Sequence, residues 1–338
     1  MTLVIAGRYR LRRLIARGGV ARIYEAIDLK ARRRVVVKLP RKDVPFDASK
    51  LLENEARSLS RLEHPYVVRL VDKGRLSEGS FVVLEYLEGE SLSKLVVPPV
   101  DPAWALDVGL DVADALAYVN SRGIAHRDVK PSNIIISPRR LVLIDFTVSA
   151  PIGRRGVKAE TPGFSCPEAA AGLSTPTCDS YSLSALMSWL VTGDSHSPGG
   201  PYWRVLQACL TPCPKDRPMT VSQLAAALRA ALPLGPRLVV GGRAYPLVEG
   251  CALRVGRSAE CEVRIEDPHR YVSPVHAAVV LERGEAYVYD NDSLNGVFLY
   301  RDGRYVRIRW STLRDGDVIV LCYSEKKGPY VVMKYRAF

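Results

Sequence analysis

His126-Arg127-Asp128-Val129-Lys130-Pro131-Ser132-Asn133, followed at short distance by Asp145-Phe146-Thr147, is the stretch on which the reading of this chain turns. Just upstream, Trp104 to Asn120 carries Leu106, Leu110, Ala113, Leu116 and Ala117 at helical spacing, an apolar stripe suited to a core. Farther toward the N-terminus the period changes. From Tyr9 to Lys38 short β-branched runs alternate with glycines and basic turns, which predicts strands of an antiparallel sheet. Leu52, Ala56, Leu59 and Leu62 place one helix, Leu51 to Leu62, beside that sheet, and Phe81 to Tyr86 reads as a further strand. Downstream the pattern is mainly helical, with clear helices around Ser180 to Val191 and, after Pro218 and Thr220, around Val221 to Leu232.

Ala231 to Arg237 contains Pro233, Gly235 and Pro236 and reads as a linker, because proline cannot continue helical hydrogen bonding. Beyond it the period is two. Leu238 to Val240, Cys261 to Ile265, Ala277 to Leu281, Ala286 to Tyr289, Tyr305 to Ile308 and Val318 to Cys322 are short segments separated by glycine or aspartate turns. They predict a β-sandwich of about 100 residues. The total of 338 residues agrees with two domains, each able to bury a core.

With 47% hydrophobic and 25% charged residues the composition excludes a disordered or collagen-like chain. Leu3 to Ala6 breaks at Gly7 and Arg8, and no stretch approaches the roughly 20 apolar residues of a membrane span, so a cytoplasmic chain without a membrane anchor is expected. The seven cysteines are expected to be reduced thiols. Cys209 and Cys213 lack a second pair or nearby histidines and sit beside Pro212 and Pro214, which argues against zinc. The formal charge of +12 is spread along the chain, with Arg32, Arg33 and Arg34 as the densest run. That pattern argues against a nucleic-acid partner and suits acidic or phosphorylated proteins.

The opening stretch resembles the catalytic loop and metal-binding triplet of the eukaryotic-like (Hanks-type) serine/threonine protein kinases, and the resemblance covers residues 8 to 232. Phosphoryl transfer needs positioning and charge neutralisation more than covalent chemistry. The resemblance therefore implies Asp128 as the group that orients the substrate hydroxyl and takes its proton, and Asn133 and Asp145 as the ligands of Mg2+ or Mn2+. Lys130, which would neutralise the transferring phosphate, marks serine/threonine specificity. Val35-Val36-Val37-Lys38 resembles the strand whose lysine holds the ATP phosphates, with Glu55 as its partner, since Glu53 would face another side of the helix.

Ile15-Ala16-Arg17-Gly18-Gly19-Val20-Ala21-Arg22-Ile23 occupies the place of the glycine-rich loop but keeps only Gly18 of the three motif glycines, with Gly19 beside it. Leu84 is the implied gatekeeper, the backbone of Glu85 and Leu87 would face adenine, and Ile15, Ile23, Val36 and Leu92 would wall the nucleotide. Thr161-Pro162-Gly163-Phe164-Ser165-Cys166-Pro167-Glu168 resembles the end of the activation segment. By that resemblance Thr161 touches Asp128 and Lys130, Glu168 pairs with Arg217, and Asp179 holds the catalytic loop. Thr147 stands where the family has glycine and resists positive φ, so the flip of the triplet is expected to be restricted. Between Asp145 and Thr161 the only hydroxyls are Thr147 and Ser149, so control by loop phosphorylation is not expected.

Gly256-Arg257-Ser258, Ser273-Pro274-Val275-His276-Ala277 and Asp292-Ser293-Leu294-Asn295-Gly296 resemble the three loop motifs of forkhead-associated (FHA) domains. The resemblance implies that Arg257 and Ser273 grip a phosphothreonine, that Asn295 binds the peptide backbone, and that His276 braces the loops. Pro274 and Leu294 depart from the pattern, with Arg270 or Arg254 as candidates to compensate.

The expected fold class is α+β. A bilobal kinase fold, small lobe 8–86 and large lobe 87–232, is followed by a 233–237 linker and an all-β FHA-type sandwich over 238–338. The expected activity is ATP-dependent phosphorylation of protein serine or threonine, with phosphothreonine proteins as partners. A pseudokinase scaffold is the alternative, suggested by Ala16, Ala21 and Thr147 and opposed by Lys38, Glu55, Asp128, Asn133 and Asp145. A small-molecule phosphotransferase shares the aspartate and asparagine, but Lys130 and the Thr161 to Glu168 segment favour protein substrates.

Overall fold

β-Branched residues set the N-terminal strands. In the computed structural model, which describes residues 3–137, 139–231 and 234–337, six antiparallel strands form the small lobe. These are β1 (Val4–Ile5), β2 (Tyr9–Arg17), β3 (Ala21–Asp28), β4 (Arg33–Pro40), β5 (Leu70–Leu76) and β6 (Gly79–Glu85), in the order β1-β2-β3-β4-β6-β5. Val35 and Val37 alternate onto one face, where they pack with Tyr9, Leu11, Phe81 and Val83. Helix α1 (Ala48–Leu59) lies against this sheet and buries Leu52, Ala56 and Leu59. It begins before the expected Leu51 because Asp47 caps it, accepting the Lys50 N–H.

The large lobe follows with β7 (Glu90–Ser91), α2 (Leu92–Leu95), α3 (Pro102–Ser121), β8 (Ile124–Ala125), β9 (Ile134–Ser137), β10 (Arg140–Leu143) and β11 (Ala150–Pro151). It continues with α4 (Pro167–Ala170), α5 (Cys178–Thr192), α6 (Trp203–Cys209) and α7 (Val221–Ala231). Helix α5 is buried along almost its whole length and packs on α3, α6 and α7. No described helix is long and apolar enough to cross a membrane.

Eleven further strands build the sandwich: β12 (Arg237–Val240), β13 (Arg243–Pro246), β14 (Ala252–Gly256), β15 (Val263–Arg264), β16 (Ala277–Glu282), β17 (Glu285–Asp290), β18 (Val297–Arg301), β19 (Arg304–Ile308), β20 (Trp310–Leu313), β21 (Val318–Ser324) and β22 (Gly328–Arg336). One sheet runs β13-β12-β22-β21-β18-β19 and the other β15-β14-β16-β17-β20. The fold class is α+β, as expected.

Two expectations are corrected. Arg237 is the first residue of β12 and not part of a linker, because its backbone pairs with both Pro246 and Arg336; Leu232, Pro233 and Phe338 lie outside the described residues. Cys166 and Cys178 form a disulfide, with Cα atoms 5.4 Å apart, where reduced thiols were expected. The starts of α4 and α5 bring these two residues together, a proximity that a spacing of 12 in sequence does not reveal. The sandwich is packed directly on the large lobe. Tyr300, Val318, Val320 and Val332 belong to the same buried core as α3.

Charge completes that junction. Asp107, Asp111 and Asp114 recur on one face of α3. Arg237 reaches Asp107 at 2.7 Å, Arg336 reaches Asp111 at 2.9 Å, and Lys334 pairs with Asp114.

Candidate functional site

Lys38, on β4, projects from the sheet toward α1, and the helix phase that buries Leu52 and Ala56 also buries Glu55. The two meet at 2.6 Å, and Lys38 Nζ also lies 3.1 Å from Asp145 Oδ1. Glu53 points elsewhere, accepting from Ser80 Oγ at 2.6 Å. Burial pulls the Lys38 pKa down, but Asp145 and Glu55 more than reverse this, so the ammonium stays charged. For Asp145 burial acts upward, and the Lys38 charge with hydrogen bonds from Thr147 and Lys38 outweighs it, holding the carboxyl at about 2. It is an anion throughout the neutral range.

The Asp145 backbone has φ of 67°, whereas Thr147 is not among the positive-φ residues. This conformation therefore asks no positive φ of the threonine, and its hydroxyl donates to Asp145. Asn54 Nδ2 holds the backbone here, donating to Thr147 O at 3.1 Å and Ser149 O at 2.8 Å. Sequence reasoning missed Asn54; its only signal was a place beside Glu55 on the helix.

Asp179, near the start of α5, accepts from the backbone N–H of His126 and Arg127, each at 2.9 Å, and so anchors the loop that carries Asp128. Thr161 Oγ1 donates to Asp128 Oδ1 at 2.7 Å, and Lys130 Nζ lies 2.8 Å from Asp128 Oδ2 and 3.0 Å from Thr161 Oγ1. Asn133 Nδ2 donates to Asp128 Oδ2 and to Asp128 O, both at 2.9 Å. With its amide nitrogen committed to Asp128, Asn133 could offer its carbonyl oxygen to a cation. That oxygen and the Asp145 carboxylate fit Mg2+, which takes few protein ligands and keeps water and phosphate oxygens. Glu168 and Arg217 form a buried bidentate pair with both contacts at 2.7 Å.

A cavity of about 630 Å³ is lined by Gly18, Gly19, Ile23, Lys38, Asp128, Lys130, Asp145 and Thr161, while Glu55 and Asn133 stand outside its lining. Lys50 and Lys158 also face it and were not anticipated. Neither Gly18 nor Gly19 uses a positive φ, so the alanines at positions 16 and 21 demand no conformation that only glycine reaches. Ile15, Val36, Leu84, Glu85 and Leu87 do not line this cavity. Irregular pairing between Leu14 and Ala16 accompanies an exposed Ile15. Val36 and Leu84 pack on the core between the lobes. Glu85 gives its N–H to Arg69 O and its carboxylate to Arg140 at 2.6 Å, and with Leu87 it lines a separate cleft against the sandwich. Strand alternation sends Glu85 to the face opposite Leu84.

In the sandwich the loop residues Arg257, Ser273 and Asn295 converge. Arg257 N–H donates to Ser273 O at 3.2 Å, Leu294 N–H donates to Ser273 Oγ at 3.2 Å, and Asn295 Nδ2 donates to Tyr271 O at 2.8 Å. Among the described residues no hydrogen bond or ion pair engages the Arg257 guanidinium. His276 is buried, accepting from Ser273 N–H at Nδ1 and donating from Nε2 to Gly296 O. Burial lowers its pKa, which agrees with the neutral Nε2–H tautomer. Gly256 sits so close to the next loop that a Cβ would lie 2.1 Å from Pro274 O. Arg254 is paired with Glu262 at 2.9 Å, while Leu294 is 83% exposed.

The protein kinase domain family model matches residues 9–202, and the FHA domain model matches residues 253–322. Serine/threonine-protein kinase pkn2 of Myxococcus xanthus is 34% identical over 208 residues, which cover 57% of this chain and 25% of that protein. PrkC of Bacillus subtilis is 32% identical, covering 56% of this chain and 31% of its own. PknA of Mycobacterium tuberculosis is 32% identical over 242 residues, or 66% of this chain and 56% of PknA. The match thus spans less than two thirds of each of these relatives. The crystal structure of the Mycobacterium tuberculosis PknI kinase domain overlays with a TM-score of 0.57 at 22% identity, covering 68% of this chain and 98% of that one. It has the same fold.

Proposed function

Since the chain belongs to the protein kinase family, we propose that it transfers the γ-phosphoryl group of ATP to serine or threonine hydroxyls of proteins, and that its FHA domain holds partners bearing phosphothreonine. The observation that carries this reading is the convergence of Lys38, Asp128, Lys130 and Asp145 on one cavity, with Glu55 buried behind Lys38 and paired to it. ATP with Mg2+, when bound, supplies the phosphoryl group and an acceptor for its charge. Lys38, kept charged and fixed by Glu55, would hold the phosphates at one end. Asp128 would orient the attacking hydroxyl and receive its proton as the new O–P bond forms and the bond to ADP breaks.

Thr161 shows how a hydroxyl sits against Asp128 and Lys130, which is the geometry a substrate hydroxyl needs. At the second site Arg257, whose guanidinium no described residue engages, is joined through its backbone to Ser273, and a guanidinium with a hydroxyl suits a phosphate monoester.

A labelled-ATP transfer assay on the full chain tests the first half. Asp128→Asn should lower kcat by 10²-fold or more, and absence of transfer by the wild type would overturn the enzyme reading. Phosphopeptide binding by the wild type and by Arg257→Ala tests the second half; equal affinities would remove Arg257 from the reader.

A further inference from the structure

Arg33 and Arg69 stand in the cleft between the small lobe and the sandwich, reaching across to the loop between β21 and β22. Arg33 donates to Lys326 O at 3.1 Å, and Arg69 donates to Lys326 O at 2.9 Å and Lys327 O at 3.1 Å. The Nε atoms of both arginines are buried without a hydrogen-bond partner. The cleft, of about 480 Å³, has Glu85 and Glu88 as its carboxylates. Glu85 is taken by Arg140, and Glu88 by Arg34 and Arg139. Arg32, Arg33, Arg69 and Lys327 also line the cleft, and among the described residues none of their charged side-chain groups is paired with a carboxylate, although the Arg69 backbone N–H donates to Glu85 at 3.0 Å. Grouping like charges in a partly desolvated cleft is costly unless an anion enters.

The cleft is continuous with the reader. Tyr271 and Lys327 line it and also line a neighbouring pocket of about 220 Å³ that contains Asn295. Asn295 is tied to Tyr271 O, and Lys327 Nζ sits 3.2 Å from the Tyr271 hydroxyl and 5.0 Å from its ring centroid. The pocket that holds Asn295 and the basic cleft thus share Tyr271, Lys327, Pro329 and Tyr330 as common walls.

We propose that this cleft is the second half of the phosphopeptide site, taking an acidic stretch, of carboxylates or a second phosphate, from the same peptide whose phosphothreonine sits at Arg257. The proposal rests on the phosphothreonine reading of the FHA loops. Its consequence is that the catalytic domain itself supplies side chains, Arg33 and Arg69, that select what the reader binds. Specificity for acidic flanks then belongs to the whole chain and not to the sandwich alone.

Fluorescence anisotropy on the full chain tests it with a fixed phosphothreonine peptide whose flanks are neutral, carry an aspartate run on either side, or carry a second phosphothreonine. A fifth peptide has the aspartate run and an unmodified threonine. An acidic flank on one side should tighten binding roughly tenfold, and the gain should shrink at high salt. In Arg33→Gln/Lys327→Gln the ratio of acidic to neutral affinity should fall to near one, and Arg33→Lys/Lys327→Arg should restore it. The aspartate and second-phosphate arms separate the two sources of anion.

Equal binding of neutral and acidic phosphopeptides by the wild type would overturn the cleft while leaving the phosphothreonine reading intact. If the unmodified aspartate peptide bound as tightly as its phosphorylated form, the joined site would be wrong. Absence of binding by every phosphopeptide would instead overturn the underlying reading. The wild-type peptide series decides the matter even where a variant folds poorly.

Discussion

Arg127 is fully buried, and its guanidinium ends on backbone carbonyls: Val148 O at 3.0 Å, Val157 O at 2.7 Å and Ala169 O at 3.2 Å. Three acceptors already occupy the place where a phosphorylated loop residue would bring oxygens. Gly156 makes room for this, since a Cβ there would lie 2.4 Å from Arg127 Nη1. Thr147 and Ser149 are themselves buried, and Ser149 Oγ is bonded to Ser58 Oγ and Phe146 O. The sequence raised the expectation of a loop without a phosphate switch from the scarcity of hydroxyls; the structure adds what replaces it. Phosphatase-treated and ATP-incubated protein should transfer phosphate at rates within about twofold of each other. A phosphate mapped between residues 147 and 161 whose removal abolishes activity would refute this. The Lys38–Glu55–Asp145 cluster was legible at the same scale, because charged residues keep fixed places in a recognisable order. The packing around them was not: Ile15 and Glu85 depended on strand irregularity and alternation that no motif records.

Among elements, the helices were the most legible, because apolar spacing and caps are local. Helix α3 starts at Pro102 with Asp101 accepting the Trp104 N–H at 3.0 Å, two residues from the start expected of it. Strands β13, β14, β18, β20 and β22 were absent from the segments named from sequence, since short strands in a two-sided sandwich are defined by partners distant in sequence. The disulfide between Cys166 and Cys178 belongs here too. It ties the start of α4, which follows the activation segment, to α5, the helix that anchors the catalytic loop through Asp179. Closing a loop of this size should stabilise the fold by about 2–4 kcal/mol through the unfolded chain. Denaturant unfolding of Cys166→Ala/Cys178→Ala against the oxidised wild type measures the difference. An unchanged midpoint, or two free thiols at these positions in the native protein, would remove the bridge from the account.

At the scale of the whole molecule, the two domains share a core and a charged seam, so loosening one should be felt in the other. His64 reports on that seam, stacked on Tyr118 at 4.8 Å and edge-on to Tyr300 of the sandwich at 5.3 Å. Burial, reinforced by the Lys334 charge, lowers its pKa to about 3. The folded protein therefore keeps His64 neutral down to that pH, whereas the unfolded chain takes up a proton below about 6.5. The stabilising contribution is complete above about pH 6.5 and is lost as pH falls toward 3, at up to about 1.4 kcal/mol per pH unit. Unfolding free energies measured from pH 7 to pH 4 should fall less steeply for His64→Gln than for the wild type. Parallel curves would show that His64 is not held neutral in the folded state.

What the sequence alone determined is the pair of folds and the order of the phosphoryl-transfer groups, because helical spacing, proline breaks and charged motifs act over a few residues. What only the tertiary structure decided is how the two domains meet. Asp107, Asp111 and Asp114 find Arg237, Arg336 and Lys334, Cys166 finds Cys178, and Arg33 reaches the loop that ends in Lys327. Each of these depends on the distance between residues far apart in the chain, and that distance is set by burial of a common core rather than by any local pattern.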